Sequence, residues 1–156
     1  MVQTILTDGR TSRLYKSLIE GKAIAESISA SNGLPGARYP NLFSIYASPR
    51  HPHSLPELEK AIVGELERLK SDPITTQELD RAKNTLRADF IKSLDSNTEL
   101  AGMLSYFETI AGDYRYIIKH MKMIDKITSQ DIQRVANKYF IDINKTVATL
   151  QSSSEK

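Results

Sequence analysis

The sequence has 156 residues, and its 21 lysine and arginine residues against 19 acidic residues leave a formal net charge of +2. Because the basic residues are spread along the chain, this balance predicts no nucleic-acid partner. The sequence has no cysteine, which excludes disulfides and thiolate metal sites. No apolar run approaches the roughly 20 residues of a membrane-spanning helix, and residues 1–8 lack the pattern of a signal peptide. The composition is typical of a soluble globular domain, whose compartment it does not indicate.

The first predicted helix begins almost at once, in the stretch GRTSRLYKSLIE at residues 9–20. Two strands are predicted after it, at 23–31 and 41–48, the first because its segment is rich in small and branched residues. The link between them contains glycine and proline and is short, which favours an antiparallel pair.

Five helices are predicted next, and four of them begin at a capping motif. In each motif the hydroxyl of the first residue can accept a hydrogen bond from the amide three residues later. The acidic side chain at that later position can in turn accept from the amide of the first residue. These motifs start at Ser54, Thr75, Ser96 and Thr128. The apolar residues behind each start recur at helical spacing, and the fifth helix carries the same pattern between the last two. The residues expected to face inward are Leu58, Ile62, Leu66, Leu69, Leu79, Ala82, Leu86, Phe90, Leu100, Leu104, Phe107, Ile110, Ile117, Ile118, Met121, Ile124, Ile132, Val135 and Tyr139.

A third strand is predicted at 145–150, KTVATL, before a polar tail at 151–156. The element order predicts an α+β domain over residues 1–150, with helices packed on one face of a mainly antiparallel sheet. Three strands are few for so many amphipathic helices. We therefore interpret the chain as the later part of a longer domain.

Several segments together carry a family resemblance: GRTSRLYKSL, NLFSIYAS, LPELEKAIVGELERLK, TTQELDRAKNTLRADF and DINKTVATL. Their order and separation resemble the later part of a non-zinc carboxy-terminal domain in the pitrilysin/insulinase-type zinc metallopeptidases, the family of the mitochondrial processing peptidases. The most specific combination is Ser12-Arg13-Leu14-Tyr15 with Glu78-Leu79-x-x-Ala82-Lys83.

The resemblance implies two similar domains that enclose a peptide, with the zinc motif H-x-x-E-H on the amino-terminal one. The three histidines of this chain, His51, His53 and His120, do not have that spacing. We therefore expect no metal ligand, catalytic residue or cofactor in this chain, and zinc in a sister domain or subunit. His51 and His53 could be a surface metal pair, but a solvated connection is the favoured interpretation because a third ligand is lacking.

The resemblance also implies an arginine and, seven residues later, a tyrosine that donate to the substrate carbonyl in the cleft. The matching positions are Ile19 and Glu26, neither of which can make that donation. We predict that both face the substrate and lie close together. Glu26 has two open interpretations: a polar residue at the sheet margin, or a cleft residue that selects basic peptide side chains. For Arg13 the favoured role is a structural salt bridge or cap.

Two functions remain in view at this point. In the first, the chain helps to enclose and position a peptide substrate whose hydrolysis occurs on zinc outside this chain. In the alternative, it is a non-catalytic structural or assembly subunit that keeps the processing-peptidase fold. The chain by itself is predicted to be inactive as a peptidase and to form a homodimer through an uncovered sheet edge or apolar surface.

Overall fold

The computed structural model describes residues 1–151, and it confirms an α+β fold. The helices of this part are α1 (Val2–Thr7), a π-helix (Tyr15–Gly21), α2 (Leu55–Ser71), α3 (Thr76–Ser93), α4 (Asn97–Ala111), α5 (Tyr116–Lys126), α6 (Ser129–Tyr139) and a 3-10 turn (Asp142–Asn144). The strands are β1 (Ala25–Leu34) and β2 (Leu42–Pro49). The sequence did not indicate α1, and the helix expected over 9–20 forms only after a turn at its first residues.

The two strands form an antiparallel sheet, as the short link predicted. Helix α1 packs against β1 and helix α2 against β2. On β2 the side chains of Phe43, Ile45 and Ala47 pack against the core, while Tyr46 between them is exposed. The helices therefore cover one face of the sheet, which confirms the predicted layer arrangement.

The third strand predicted at 145–150 is wrong, because this segment has no regular secondary structure. Among the described residues it makes no backbone hydrogen bond to β1 or β2, and Leu150 is 96% exposed. Its alternating pattern suits a strand, but a strand forms only where a neighbour pairs with it. The polar tail predicted at 151–156 lies, apart from Gln151, outside the described residues.

The core lies between the sheet and the helices α1, α2, α3 and α6. Its fully buried large side chains are Ile5, Leu6, Leu14, Leu18 and Leu69. The predicted residues Leu58, Ala82 and Ile132 also belong to it. Burying an aliphatic side chain of this size contributes roughly 1.5–3 kcal/mol, so this cluster is the main source of stability.

The four predicted helix starts are confirmed by hydrogen bonds. Thr75 and Thr128 form reciprocal capping boxes with Glu78 and Asp131, while Ser54 and Ser96 accept only from the amide three residues on. A cap of this kind is worth about 1 kcal/mol.

The inward face predicted for the later helices is partly wrong. Helix α4 has no buried residue, although its sequence is apolar, and it packs mainly against α5. Ile110, Ile118 and Tyr139 are exposed, with Ile118 at 60%. Helical spacing identifies the apolar face of a helix, but it does not say whether another element covers that face. Within residues 1–151, no helix combines the length and the apolar character needed to cross a bilayer.

Candidate functional site

The segment that leads to Ile19 is a π-helix rather than the expected α-helix. The amide of Lys22 donates to the carbonyl of Ser17 at 2.8 Å, five residues back, which is the π-helical spacing. Leu18 is fully buried at the centre of this turn. Ile19 is half-buried and packs against the core.

The chain leaves this helix through a strained residue, Ala23, whose φ is 53°. A left-handed conformation costs a residue with a side chain roughly 1–2 kcal/mol. Two hydrogen bonds hold the next residue, Ile24: its amide donates to the Leu18 carbonyl at 2.9 Å, and its carbonyl accepts from the Arg50 amide at 2.9 Å. Strain that the surroundings maintain is common at functional sites, and this one lies between the two predicted substrate-facing positions.

Glu26 lies in a β-bulge at the start of β1. Ala25 pairs with Pro49 and Ser27 with Ser48, so Glu26 is an extra residue without an opposite partner. Its side chain is exposed, whereas Ile24 is buried. The side chains of Ile24 and Glu26 therefore do not share one face of the sheet, as they would in a regular strand. Bulges re-aim side chains and are frequent beside active sites.

Ile19 and Glu26 thus have different environments: one packs against the core and the other faces solvent. The hydrogen bond from Ile24 to Leu18 ties the end of the π-helix to the entry of β1. That the two side chains meet, and that they face a peptide, stays a prediction.

A buried carboxylate that the sequence reasoning missed lies under the π-helix. Glu65 of α2 is 4% exposed, and its Oε1 accepts from the Ser17 hydroxyl at 2.6 Å. The Lys22 ammonium lies 3.9 Å away, and the Arg68 guanidinium donates to both oxygens at 3.3 Å. A signal was available, because Glu65 falls three residues after Ile62 on the predicted apolar face. This carboxylate binds Ser17 within the π-helix and lies near Lys22 just after its end, and so ties this segment to α2.

The two most specific family motifs meet in space through Arg13 and Glu78. Arg13 Nε donates to Glu78 Oε1 at 2.7 Å and Nη2 donates to Oε2 at 3.1 Å. Glu78 also accepts from the amide and hydroxyl of Thr75, each at 3.0 Å. The hydrogen bond from Arg13, with those from Thr75, lowers the pKa of Glu78 from 4.5 to about 2. The structural role favoured for Arg13 is confirmed.

The basic residues of α3 bind neighbouring segments of the chain. Arg81 donates to the carbonyl of Thr11, and Lys83 Nζ donates to the carbonyl of Asp125 at 2.8 Å. Arg87 Nη2 lies 2.7 Å from the Asp125 carboxylate. These side chains join α3 to the amino-terminal turn and to α5, and they are not arranged as a binding patch.

The three histidines have different surroundings. His53 Nδ1 is 2.9 Å from Glu57 Oε1, and His51 is exposed in the same connection. The His120 ring lies 5.6 Å from the Phe107 ring, and desolvation lowers the pKa of His120. Over residues 1–151, the structure brings no three histidine, aspartate or glutamate side chains together in a group that could hold a metal ion.

Comparison with known proteins decides the family. The model of the family described as the peptidase M16 inactive domain matches residues 1–86. The chain belongs to this family. The resemblance to zinc metallopeptidases is thereby confirmed, and the matched family is described as an inactive peptidase domain.

Named relatives of this peptidase M16 inactive domain agree with that assignment. It is 29% identical over 147 residues to the zinc protease PqqE of Helicobacter pylori, covering 94% of this chain and 32% of the relative. It is 26% identical to an uncharacterized zinc protease of Mycobacterium tuberculosis, over 87% of this chain and 30% of the relative. The chain therefore spans about a third of the length of these curated relatives.

Solved structures share the fold. A protease from Helicobacter pylori has a TM-score of 0.79 and 28% identity, with 92% of this chain and 34% of that chain covered. The inactive peptidase domain of a putative zinc protease from Bordetella parapertussis has a TM-score of 0.79 at 22% identity, with 92% of this chain and 76% of that chain covered. The fold of this chain is thus that of a solved inactive peptidase domain.

Proposed function

We propose that this chain is the carboxy-terminal, non-zinc domain of a zinc metalloendopeptidase-like protein. In this role it encloses and positions a peptide whose hydrolysis occurs on a zinc site outside the chain. The observation that carries the proposal is membership in the peptidase M16 inactive domain family, together with relatives named zinc proteases that are about three times as long.

The zinc belongs, in this proposal, to a sister domain or subunit. The described residues offer no group of ligands for it, whereas a catalytic zinc needs three protein ligands and an open position. Zinc would activate a water for attack on the peptide carbonyl. The contribution of this chain is to hold the peptide in place through the surface around the π-helix and the β1 bulge.

The alternative proposal is a structural or assembly subunit that keeps the fold without catalysis. It is favoured by one observation: Ile19 and Glu26 stand where the family resemblance implies two hydrogen-bond donors. An apolar side chain cannot donate to an oxyanion, and an ionised carboxylate repels it. We also propose that the isolated chain forms a homodimer, because β1 and β2 leave both outer edges of the sheet without a strand partner among the described residues.

The experiment that separates these functions uses the parent protein and its zinc-bearing part. Cleavage of a fluorogenic peptide library is measured with the zinc-bearing part alone, and again after the 156-residue chain is added. Enclosure predicts that the chain restores turnover and lowers KM. A parent protein that binds zinc but cleaves no peptide, with or without this chain, would favour the structural subunit. A zinc domain whose H-x-x-E-H glutamate is changed to glutamine serves as the inactive control.

A further inference from the structure

The segment Tyr15–Gly21 is a π-helix although its sequence does not require one. The residues SRLYKSLIE predict an ordinary helix, since all of them before Gly21 are types that an α-helix accepts. A π-helix is rare and occurs mostly as a single turn, frequently at a functional site. A contact from elsewhere in the fold therefore has to select the π-helical form over the α-helical one.

Glu65 of α2 makes a contact that distinguishes the two helical forms. Its Oε1 accepts from the Ser17 hydroxyl at 2.6 Å, and the Lys22 ammonium lies 3.9 Å from the same oxygen. Ser17 and Lys22 are five residues apart. Side chains that share a face of an α-helix are three or four residues apart, whereas the hydrogen bonds of a π-helix join residues five apart. The buried carboxylate therefore binds two positions that the π-helical form, and not the α-helical form, brings to one side.

Gly21 fits the same spacing of five residues. A Cβ atom added at Gly21 would lie 3.0 Å from the carbonyl oxygen of Lys16. That oxygen belongs to the backbone and cannot turn away as the end of a flexible side chain would. Glycine at this position permits the close approach of the two backbone segments, and Glu65 selects it.

Ala23 indicates what happens if this contact is released. Its φ of 53° lies in the left-handed region, which is unfavourable for a residue with a Cβ atom. A π-helix that returns to α-helical hydrogen bonds passes one residue to the connection before β1. The longer connection no longer needs the tight left-handed turn at Ala23. Relief of this strain thus favours the α-helical form, and Glu65 opposes it.

We propose that Glu65 is a positioning residue for the predicted substrate-facing surface. Through Ser17 it keeps the segment Tyr15–Gly21 π-helical. That form holds Ile19 against the core and fixes the entry of β1, where Glu26 lies in its bulge. Glu65 itself is buried and does not touch a peptide. The selection of the helical form concerns this chain alone, whereas the effect on a peptide rests on the proposed function.

Stability and positioning separate at Glu65, because a buried charge is costly. Arg68 compensates it only partly, since its guanidinium donates at 3.3 Å and its side chain is 63% exposed. Replacing a buried ion pair by an apolar residue of similar volume is often neutral or stabilising. The urea midpoint of Glu65→Leu should therefore equal or exceed that of the wild type, while the π-helix changes. A lower midpoint with an unchanged π-helix would show a purely structural role and overturn the proposal.

NMR spectroscopy of the 156-residue chain identifies the acceptor of each amide by the scalar coupling across the hydrogen bond. In the wild type the Lys22 amide should couple to the carbonyl of Ser17, five residues back. In the α-helical form it should couple to the carbonyl of Leu18, four residues back. The Ile24 amide, which donates to Leu18 in the wild type, loses that acceptor and should exchange with solvent about tenfold faster or more.

Three variants apply this measurement. Glu65→Leu removes the carboxylate, and Ser17→Ala removes only the hydroxyl that binds it; both should move the Lys22 amide to its new acceptor. The matched control is Glu67→Leu, the same change at an exposed position of α2, which should leave the acceptor unchanged. A Lys22 amide that keeps Ser17 as its acceptor in the folded variants would overturn the proposal. Ser17→Ala decides the matter by itself if Glu65→Leu does not fold.

Peptide turnover tests the positioning role separately. Each chain is added to the zinc-bearing part, and we expect KM to be about fivefold higher with Glu65→Leu than with the wild type or Glu67→Leu. An unchanged KM, in spite of a changed π-helix, would overturn the positioning role and leave the proposed function intact. If the π-helix changes as expected but no chain restores turnover, the wild type included, the selection by Glu65 stands and the proposed function alone is contradicted.

Discussion

The guanidinium of Arg13 and the carboxylate of Glu78 form a two-pronged ion pair across 65 residues of sequence, with its shorter contact at 2.7 Å. Glu78 is at the same time the acid of the capping box that begins α3. One carboxylate therefore fixes the start of a helix and ties that helix to the segment before the π-helix. This explains why the two most specific motifs of the sequence occur together.

We expect Arg13→Ala to lower the free energy of unfolding by about 1–2 kcal/mol, because Glu78 would keep its charge and lose its strongest donor. Both side chains are less than a quarter exposed, so solvent screens the pair less than a surface pair. Urea unfolding measures the change. The matched control is Arg134→Ala, whose pair with Asp131 is highly exposed and should contribute less to stability. Equal losses in both variants would contradict the assigned role.

The low pKa of Glu78 predicts how this contact depends on pH. Because the pKa falls from 4.5 to about 2 on folding, the ionised carboxylate stabilises the protein above pH 4.5. That contribution is lost as the pH decreases from 4.5 toward 2, where folded and unfolded states both become protonated. The stability difference between the wild type and Glu78→Gln should be largest near neutral pH and should shrink across this range. A difference that stays constant from pH 7 to pH 2 would argue against the ion pair.

Glu26→Lys in the parent protein should reduce the turnover of basic peptides relative to acidic ones. A reversed charge on the exposed bulge repels a basic side chain that the native glutamate would attract. We expect kcat/KM for a basic peptide to decrease about fivefold relative to a matched acidic peptide, the effect of roughly 1 kcal/mol. Asp89→Lys on α3 makes the same change in net charge and serves as the control. An unchanged ratio would leave Glu26 as a polar residue of the sheet margin.

The purified 156-residue chain should show no metal-dependent peptidase activity. Its histidines lack zinc-motif spacing, and residues 1–151 contain no grouped ligands. The assay measures hydrolysis of a fluorogenic peptide before and after chelation and after zinc is restored. Turnover that disappears with the chelator and returns with zinc would refute the prediction.

The isolated chain should associate, and its thermal stability should therefore depend on concentration. For a homodimer, Tm should increase by roughly 2–4 °C for each tenfold increase in protein concentration, since association stabilises only the folded state. Light scattering across the micromolar range gives the oligomeric state directly. A monomer with a constant Tm over that range would contradict the homodimer.

Features that depend on neighbouring residues were predictable from the sequence. The helix starts at Ser54, Thr75, Ser96 and Thr128 each use a bond between residues three apart, so local chemistry is sufficient to place them. The antiparallel pairing of β1 with β2 followed in the same way from a short link. The family was also evident, because its motifs are contiguous stretches.

Features that depend on distant partners were not predictable. The segment 145–150 has the pattern of a strand and no strand structure, because a strand requires hydrogen bonds from a neighbour. Helix α4 has an apolar sequence and no buried residue, because burial depends on what packs against it.

The same division applies to the candidate site. The sequence by itself determined that an apolar residue, Ile19, and an acidic one, Glu26, stand at these positions. That they are the positions of the family's donor pair is what the resemblance implies, and it stays a prediction. Only the tertiary structure decided that Ile19 packs against the core, that Glu26 lies in a bulge and that Glu65 is buried beneath the π-helix. Each of these depends on contacts between segments far apart in the chain, whose energies no local pattern of residues specifies.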